Sequence, residues 1–123
     1  MSVVLYVEDD PVNGLLMQGI VELRSGCQLH IARNGAEARR WLSDRTVDLL
    51  LCDLRLPDVA GDALLGELRA AGLAAAVPAV LVTAESEDTA ATLARRSGFD
   101  GYWTKPLDVP ATLRSLERWL GKH

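Results

Sequence analysis

Five apolar runs alternate along the chain with five stretches of helical spacing, and each run closes on a polar or charged residue. The first, Val3 to Val7, is rich in β-branched residues and stops at Glu8, Asp9, Asp10 and Pro11. Asp10 followed by Pro11 is a helix start, with the aspartate as N-cap and the proline at the first helical position. The spacing predicts a helix to about Arg24, with Val12, Leu16, Gly19, Ile20 and Leu23 facing inward and Met17 and Val21 on the opposite face. Ser25 and Gly26 stop it. Gln28 to Ala32 reads as a weaker strand, and its Gln28 and His30 point to an edge position. Asn34 and Gly35 then turn the chain into a helix from Ala36 to Leu42, whose Ala38, Trp41 and Leu42 can pack on a sheet.

The third run begins at Val47 and ends abruptly at Asp53, with a Leu56-Pro57 turn just beyond. Apolar residues without alternation mark a strand buried on both faces, as in a parallel sheet covered by helices. Gly61 and Asp62 lead into a third helix ending near Gly72. Ala79 to Ala84 is the fourth strand, Ser86 caps a helix from about Glu87 to Arg96, and Gly98 closes it. Asp100 to Thr104 is the fifth strand and runs into Lys105 and Pro106. Asp108, with Pro110, starts a last helix carrying Val109, Leu113, Leu116 and Leu120 on one face and Trp119 to the side. Strands alternating with helices through short joints imply an α/β fold: a doubly wound five-stranded parallel sheet, order 2-1-3-4-5, with five helices. At 123 residues, all of 1–123 is expected to form a single domain, and no helix-turn-helix or kinase-like segment follows residue 120.

Composition narrows the function. Apolar residues make up 49% of the chain, enough for a core, while a net charge of −4 argues against a nucleic-acid-binding surface. No apolar stretch has the length of a membrane span, and no basic segment followed by a long apolar run opens the chain. A cytoplasmic location without membrane attachment is the default expectation. Cys27 and Cys52 lack CxxC spacing and a histidine cluster, and are expected to be reduced thiols in or near the core. His30 has no acid or cysteine at a catalytic spacing and is most simply an edge-strand residue.

The chemistry lies at the ends of the strands. Strand one delivers Glu8 and Asp9, strand three Asp53, strand four Thr83 and strand five Lys105. In this strand order the first and third are neighbours at the topological switch point, so three carboxylates enter one pocket. Such a cluster needs a cation or protons to be tolerable, and an all-oxygen site with room for water suits Mg2+. A divalent ion with a lysine and a hydroxyl is also what a phosphoryl group requires, and carboxylates form aspartyl phosphates, which makes Asp53 the candidate nucleophile. Taken singly, Asp10 is a helix-start acid, Asp53 a turn cap, Thr83 a strand residue and Lys105 a surface lysine. Their joint appearance at the ends of the right strands favours the chemical reading.

The set Glu8 and Asp9, Asp53, Thr83 and Ala84, Lys105 and Pro106, in this order and spacing, resembles the receiver domain of two-component response regulators over essentially the whole chain. The resemblance implies the flavodoxin-like receiver fold and a phosphorylatable signalling switch in a phosphorelay. Asp53 would accept a phosphoryl group from the phosphohistidine of a histidine kinase or histidine phosphotransfer protein. It further implies that Asp9, Asp53 and the backbone carbonyl of Arg55 bind Mg2+ directly, with Glu8 acting through water. Lys105 would hold a phosphoryl oxygen before a cis Lys105-Pro106 bond, and Thr83 and Tyr102 resemble the family's switch pair. Phosphorylation would then remodel the face made by the fourth helix, fifth strand and fifth helix, which could also support a homodimer. The run from Glu8 to Asn13 looks like that of receivers attached to hybrid sensor kinases. Trp119 and the helix bearing Arg95 and Arg96 are further candidates for a partner surface.

Three residues bear on access to the phosphoryl group and on its lifetime. Ala84 is small and leaves the site accessible, whereas Arg55, two residues past Asp53, and Glu85, two past Thr83, are placed to form an ion pair over it. An arginine simply in solvent explains Arg55 equally well. On the family reading the chain is not an enzyme beyond its own phosphorylation and dephosphorylation. The alternative is a Mg2+-dependent small phosphatase of the aspartyl-phosphate type, against which Arg55 stands where such enzymes carry a second aspartate as acid. A nucleotide- or flavin-binding module is disfavoured, because no GxxxxGK[ST] or GxGxxG follows any strand.

Overall fold

The computed structural model describes residues 1–121; Lys122 and His123 lie outside the described residues. Uninterrupted apolar runs become buried strands: β3 (Leu49–Asp53) and β4 (Ala79–Thr83) are buried along their whole length. β1 (Ser2–Val7) lies beside β3, β2 (Cys27–Ala32) forms one edge with Gln28 and His30 exposed, and β5 (Gly101–Thr104) forms the other. All pairings are parallel and the order is β2-β1-β3-β4-β5, as the alternation of elements requires.

The helices between them are α1 (Pro11–Glu22), α2 (Gly35–Leu42), α3 (Gly61–Ala70), α4 (Glu87–Ser97) and α5 (Val109–Leu120). Four have side-chain caps where the sequence places them, with Asp10, Asn34, Ser86 and Asp108 accepting from amides of the first turn. Successive strand residues face opposite sides of the sheet, so β1 feeds two cores. Leu5 and Val7 pack with Ala38, Leu42, Leu64, Leu68 and Ala94 from α2, α3 and α4. Val4 and Tyr6 pack with Met17, Ile20, Val21 and Leu116 from α1 and α5.

Two helix faces differ from the sequence expectation. On α1 the buried residues are Gly14, Met17, Ile20 and Val21, whereas Val12, Leu16 and Leu23 are exposed together with Leu15. The reason is Gly14: a Cβ there would stand 3.1 Å from the Ile31 methyl, so the helix rests on β2 through this position. That contact turns Met17 and Val21 inward and leaves an apolar stripe in solvent. On α5 the expected Leu116 is buried and Val109 and Leu120 pack on the second core, but Leu113 is only half-buried and Thr112 and Ser115 are buried as well. Ser115 is admitted because its hydroxyl accepts a hydrogen bond from the indole Nε1 of Trp103 at 2.8 Å. Trp119, expected at the side, packs against the second core, in the space left by the missing side chain of Gly101.

Both cysteines are free thiols, Cys52 buried and Cys27 half-buried. His30 sits on the edge strand and stacks on Trp41 with ring centroids 4.4 Å apart.

Candidate functional site

Strand register assembles the site. Val7 pairs with Cys52, so the next residue on each strand, Glu8 and Asp53, emerge side by side. Asp53 is level with Val82, one residue before Thr83, and Thr83 pairs with Thr104, one before Lys105. Backbone bonds continue the ladders past the strand ends, from the Glu8 amide to the Ala32 carbonyl at 2.8 Å and from the Lys105 amide to the Thr83 carbonyl at 2.7 Å. The ladders thus reach the rim itself.

Glu8, Asp9 and Asp53 each offer a carboxylate oxygen within 4.8 Å of the others. Glu8 and Asp53 are buried and Asp9 is exposed. Lys105 reaches between the two buried acids, with its Nζ 2.7 Å from Glu8 Oε1 and 3.3 Å from Asp53 Oδ2. The same Glu8 oxygen accepts the hydroxyl of Tyr6 at 2.7 Å. Burial, then the neighbouring Glu8, push the Asp53 carboxyl up to about 6, with Lys105 opposing. Burial also acts to raise Glu8, but bonds with Lys105, then Asp53, then Tyr6 prevail and hold it below the usual carboxylate range. Burial first, then Glu8, drive the Tyr6 hydroxyl far above its ordinary value, so it is a permanent donor. A compact set of three hard oxygen donors with one exposed member fits Mg2+, which keeps part of its water shell.

The loop after Asp53 is closed on itself. The Gly61 amide donates to the Leu54 carbonyl at 2.7 Å, and Arg55 bridges to Ala60. A Cβ on Gly61 would stand 2.1 Å from the Asp53 carbonyl oxygen, so only glycine allows this closure. The Arg55 amide lies 3.5 Å from Asp53 Oδ1, and its guanidinium pairs with Glu85 at 2.7 Å, the first of the two readings the sequence left open for Arg55. Thr83 is buried and its hydroxyl accepts from the Glu85 amide at 3.2 Å, while Ala84 is exposed beside it. The Lys105-Pro106 bond is cis. Tyr102 stands apart from this cluster, its hydroxyl donating to Glu87 Oε2 at 2.9 Å on the α4 side.

Three contributors escaped the sequence reading. Tyr6 lies two residues before Glu8 on one strand face, and that spacing was the available signal. Asp58 accepts from the Gly35 and Ala36 amides at 2.8 and 3.0 Å, tying the Asp53 loop to α2, and Glu87 holds Tyr102; neither contact has a local sequence signature. The exposed stripe of α1 borders the site, since Leu15 lines one cleft of about 460 Å³ with Glu8, Asp9 and Asp10.

A doubly wound sheet with acids at its switch point and a lysine bridging them defines a class of α/β signalling domain, and comparison with known proteins is specific. The family model of the response regulator receiver domain matches residues 4–117, and the chain belongs to that family. It is 30% identical over 118 residues to the polar-differentiation response regulator DivK of Brucella anthropi, covering 96% of this chain and 95% of that protein. It is 34% identical to the transcriptional regulatory protein ZraR of Escherichia coli O157:H7, of which it spans only 26%. Among solved structures it resembles the receiver domain of the sensor histidine kinase PA1611 from Pseudomonas aeruginosa PAO1. That structure has a magnesium ion coordinated in the active site cleft; the two share 28% identity and a TM-score of 0.85, over 98% of each chain. Among the described residues no helix is long and apolar enough to cross a membrane.

Proposed function

We propose that this receiver domain takes a phosphoryl group from the phosphohistidine of a histidine kinase or histidine phosphotransfer protein onto Asp53. The observation behind this is the convergence of Glu8, Asp9 and Asp53 within 4.8 Å, with Lys105 between the two buried acids. Asp9, Asp53 and the Arg55 backbone carbonyl would hold Mg2+, with Glu8 acting through water. The ion's charge would offset that of the incoming phosphoryl oxygens. One Asp53 oxygen attacks phosphorus, the phosphorus–nitrogen bond breaks, and the imidazole nitrogen leaves with the electron pair and takes up a proton. Above pH 6 most of Asp53 is ionised and ready to attack. The donor reaches the rim across the apolar stripe of α1, because Leu15 shares the acidic cleft.

Lys105 then turns to the new phosphoryl group, Thr83 moves toward it, and Tyr102 leaves Glu87 for the space vacated. The α4–β5–α5 face changes shape and signals to a partner or a second copy of the chain. Residues 1–123 act as one receiver unit in the cytoplasm, catalysing at most their own phosphorylation and dephosphorylation. Incubation with acetyl phosphate and Mg2+ tests this by intact mass. Wild type gains one phosphate and Asp53→Asn gains none. A wild type that gains none overturns the proposal, and repeated turnover of a small phosphate ester would make the chain a phosphatase instead.

A further inference from the structure

We propose that Tyr6 is a positioning residue of the acidic site, fixing Glu8 so that the cluster keeps its cation-binding shape when Lys105 turns away. Tyr6 is completely buried in a cluster otherwise built from Val4, Met17, Ile20, Leu49, Leu51 and other apolar residues, and it is the one hydroxyl-bearing side chain among that cluster's buried members. A hydroxyl in such surroundings costs free energy unless it is bonded, and a leucine or valine would fill the strand position without that demand. Here the hydroxyl reaches out of the core to a single partner, Glu8 Oε1, at 2.7 Å.

Glu8 Oε1 thus has two donors of different kinds. Tyr6 is a ring packed on all sides, whereas Lys105 is a flexible stem already shared with Asp53 at 3.3 Å. Glu8 Oε2 receives the long 3.3 Å contact from the Asp10 amide, so among the described residues it is the less committed oxygen and the one to face the cation's water shell. Remove Lys105 from the pair and Tyr6 still holds the carboxylate. Remove Tyr6, and the buried Glu8 depends on the one side chain that must move for phosphoryl binding. Hydrogen-bond partners behind directly bound carboxylates typically change metal affinity by about 10–100-fold, and Tyr6, behind a carboxylate that acts through water, is expected at the low end of that range.

The inference rests on the Mg2+ site proposed above, and the test separates the two. Calorimetric titration of the full chain with Mg2+ alone is run on wild type, Tyr6→Phe and Met17→Ala, with thermal midpoints recorded without metal. Tyr6→Phe keeps the ring and is expected to weaken Mg2+ binding about 10-fold. Met17→Ala, which loosens the same cluster without touching Glu8, lowers the midpoint and leaves Mg2+ affinity unchanged. In a Lys105→Met background, where Tyr6 is the remaining side-chain donor to Glu8 in this structure, the Tyr6→Phe loss grows larger. Unchanged affinity in Tyr6→Phe, an equal loss in Met17→Ala, or no growth in the Lys105→Met background would each overturn the inference. A wild type that binds no Mg2+ would overturn the metal site as well.

Discussion

The two ends of the sheet are made by the same strands and open clefts of similar size, yet only one end has chemistry. At the amino end of β3 and β4, the segments 42–47 and 72–77 enclose about 550 Å³ lined mainly by Leu42, Val47, Leu73, Val77 and alanines. Its charged residues Asp44 and Arg45 pair with each other in solvent. At the carboxyl end the cleft beside the site is smaller, about 460 Å³, and is lined by Glu8, Asp9 and Asp10 with α1 residues; next to it Glu8, Asp53 and Lys105 are drawn largely out of water. Cavity volume therefore does not mark the site. Clustered buried charge does: Arg24 is also buried, but singly and against the Gly121 carbonyl, whereas Glu8, Asp53 and Lys105 meet one another at one rim.

Paired substitutions break the comparison most sharply. Leu42 is buried at the amino end, and Leu42→Ala should cost about 3 kcal/mol of stability while leaving Mg2+ affinity and phosphoryl uptake unchanged. At the carboxyl end the sign reverses. The folded state raises Asp53 from 3.8 to about 6, so it binds the proton more tightly than the unfolded chain. That stability is present below about pH 4 and lost as pH rises through about 6. In chelator at pH 8, Asp53→Asn should stabilise the protein by about 2 kcal/mol, and by much less at pH 4. Thermal midpoints at the two pH values decide it, and an Asp53→Asn that is less stable than wild type at pH 8 would erase the distinction between the ends.

Strand order and most of the acidic site were legible in the sequence because they depend on local facts: where an apolar run stops, and which residue stops it. Asp53 and Thr83 are the last residues of their strands, and Glu8, Asp9 and Lys105 come within two residues of a strand end. The inward face of α1 was not legible, since apolar residues occur on nearly every side of it and periodicity has no phase to select. The phase comes from Gly14 against Ile31, a contact between elements. Ser115 on α5 was missed for a related reason: a hydroxyl is buried there because Trp103, distant in sequence order on another element, donates to it. The ties made by Tyr6, Asp58 and Glu87 are likewise visible only once strands and loops are placed.

Asp58 gives a middle-sized effect, because it braces the active end through a neighbouring helix. The Gly35 amide, with that of Ala36, holds its carboxyl below the usual range. A lowered folded value means the stabilisation is present above the ordinary carboxylate value and disappears as pH falls through it into the acid range. Asp58→Ala should lose about 1 kcal/mol at pH 7, by analogy with helix caps, and nothing near pH 2. Denaturant unfolding at both pH values measures it; an equal loss at both would mean the side chain acts by packing and not by charge.

The smallest effect on stability should come from Arg55, whose side chain is 79% exposed where it pairs with Glu85. An ion pair in that much water contributes about 0–1 kcal/mol, so Arg55→Ala should unfold almost where wild type does. Its consequence is kinetic. The pair links the loop that follows β3 to the residues that follow β4, on the rim that carries Asp53 and Thr83, where it can hinder water from reaching an Asp53 phosphoryl group. Arg55→Ala should therefore shorten the phosphoryl lifetime a few-fold, followed by intact mass after the donor is removed. Salt supplies the control, since screening loosens an exposed pair. High ionic strength should hasten dephosphorylation of wild type toward the Arg55→Ala rate and leave the variant itself unmoved. If both proteins lose phosphate at the same rate in low salt, the pair is only two side chains meeting in solvent, and the carboxyl end owes its chemistry to the buried charges alone.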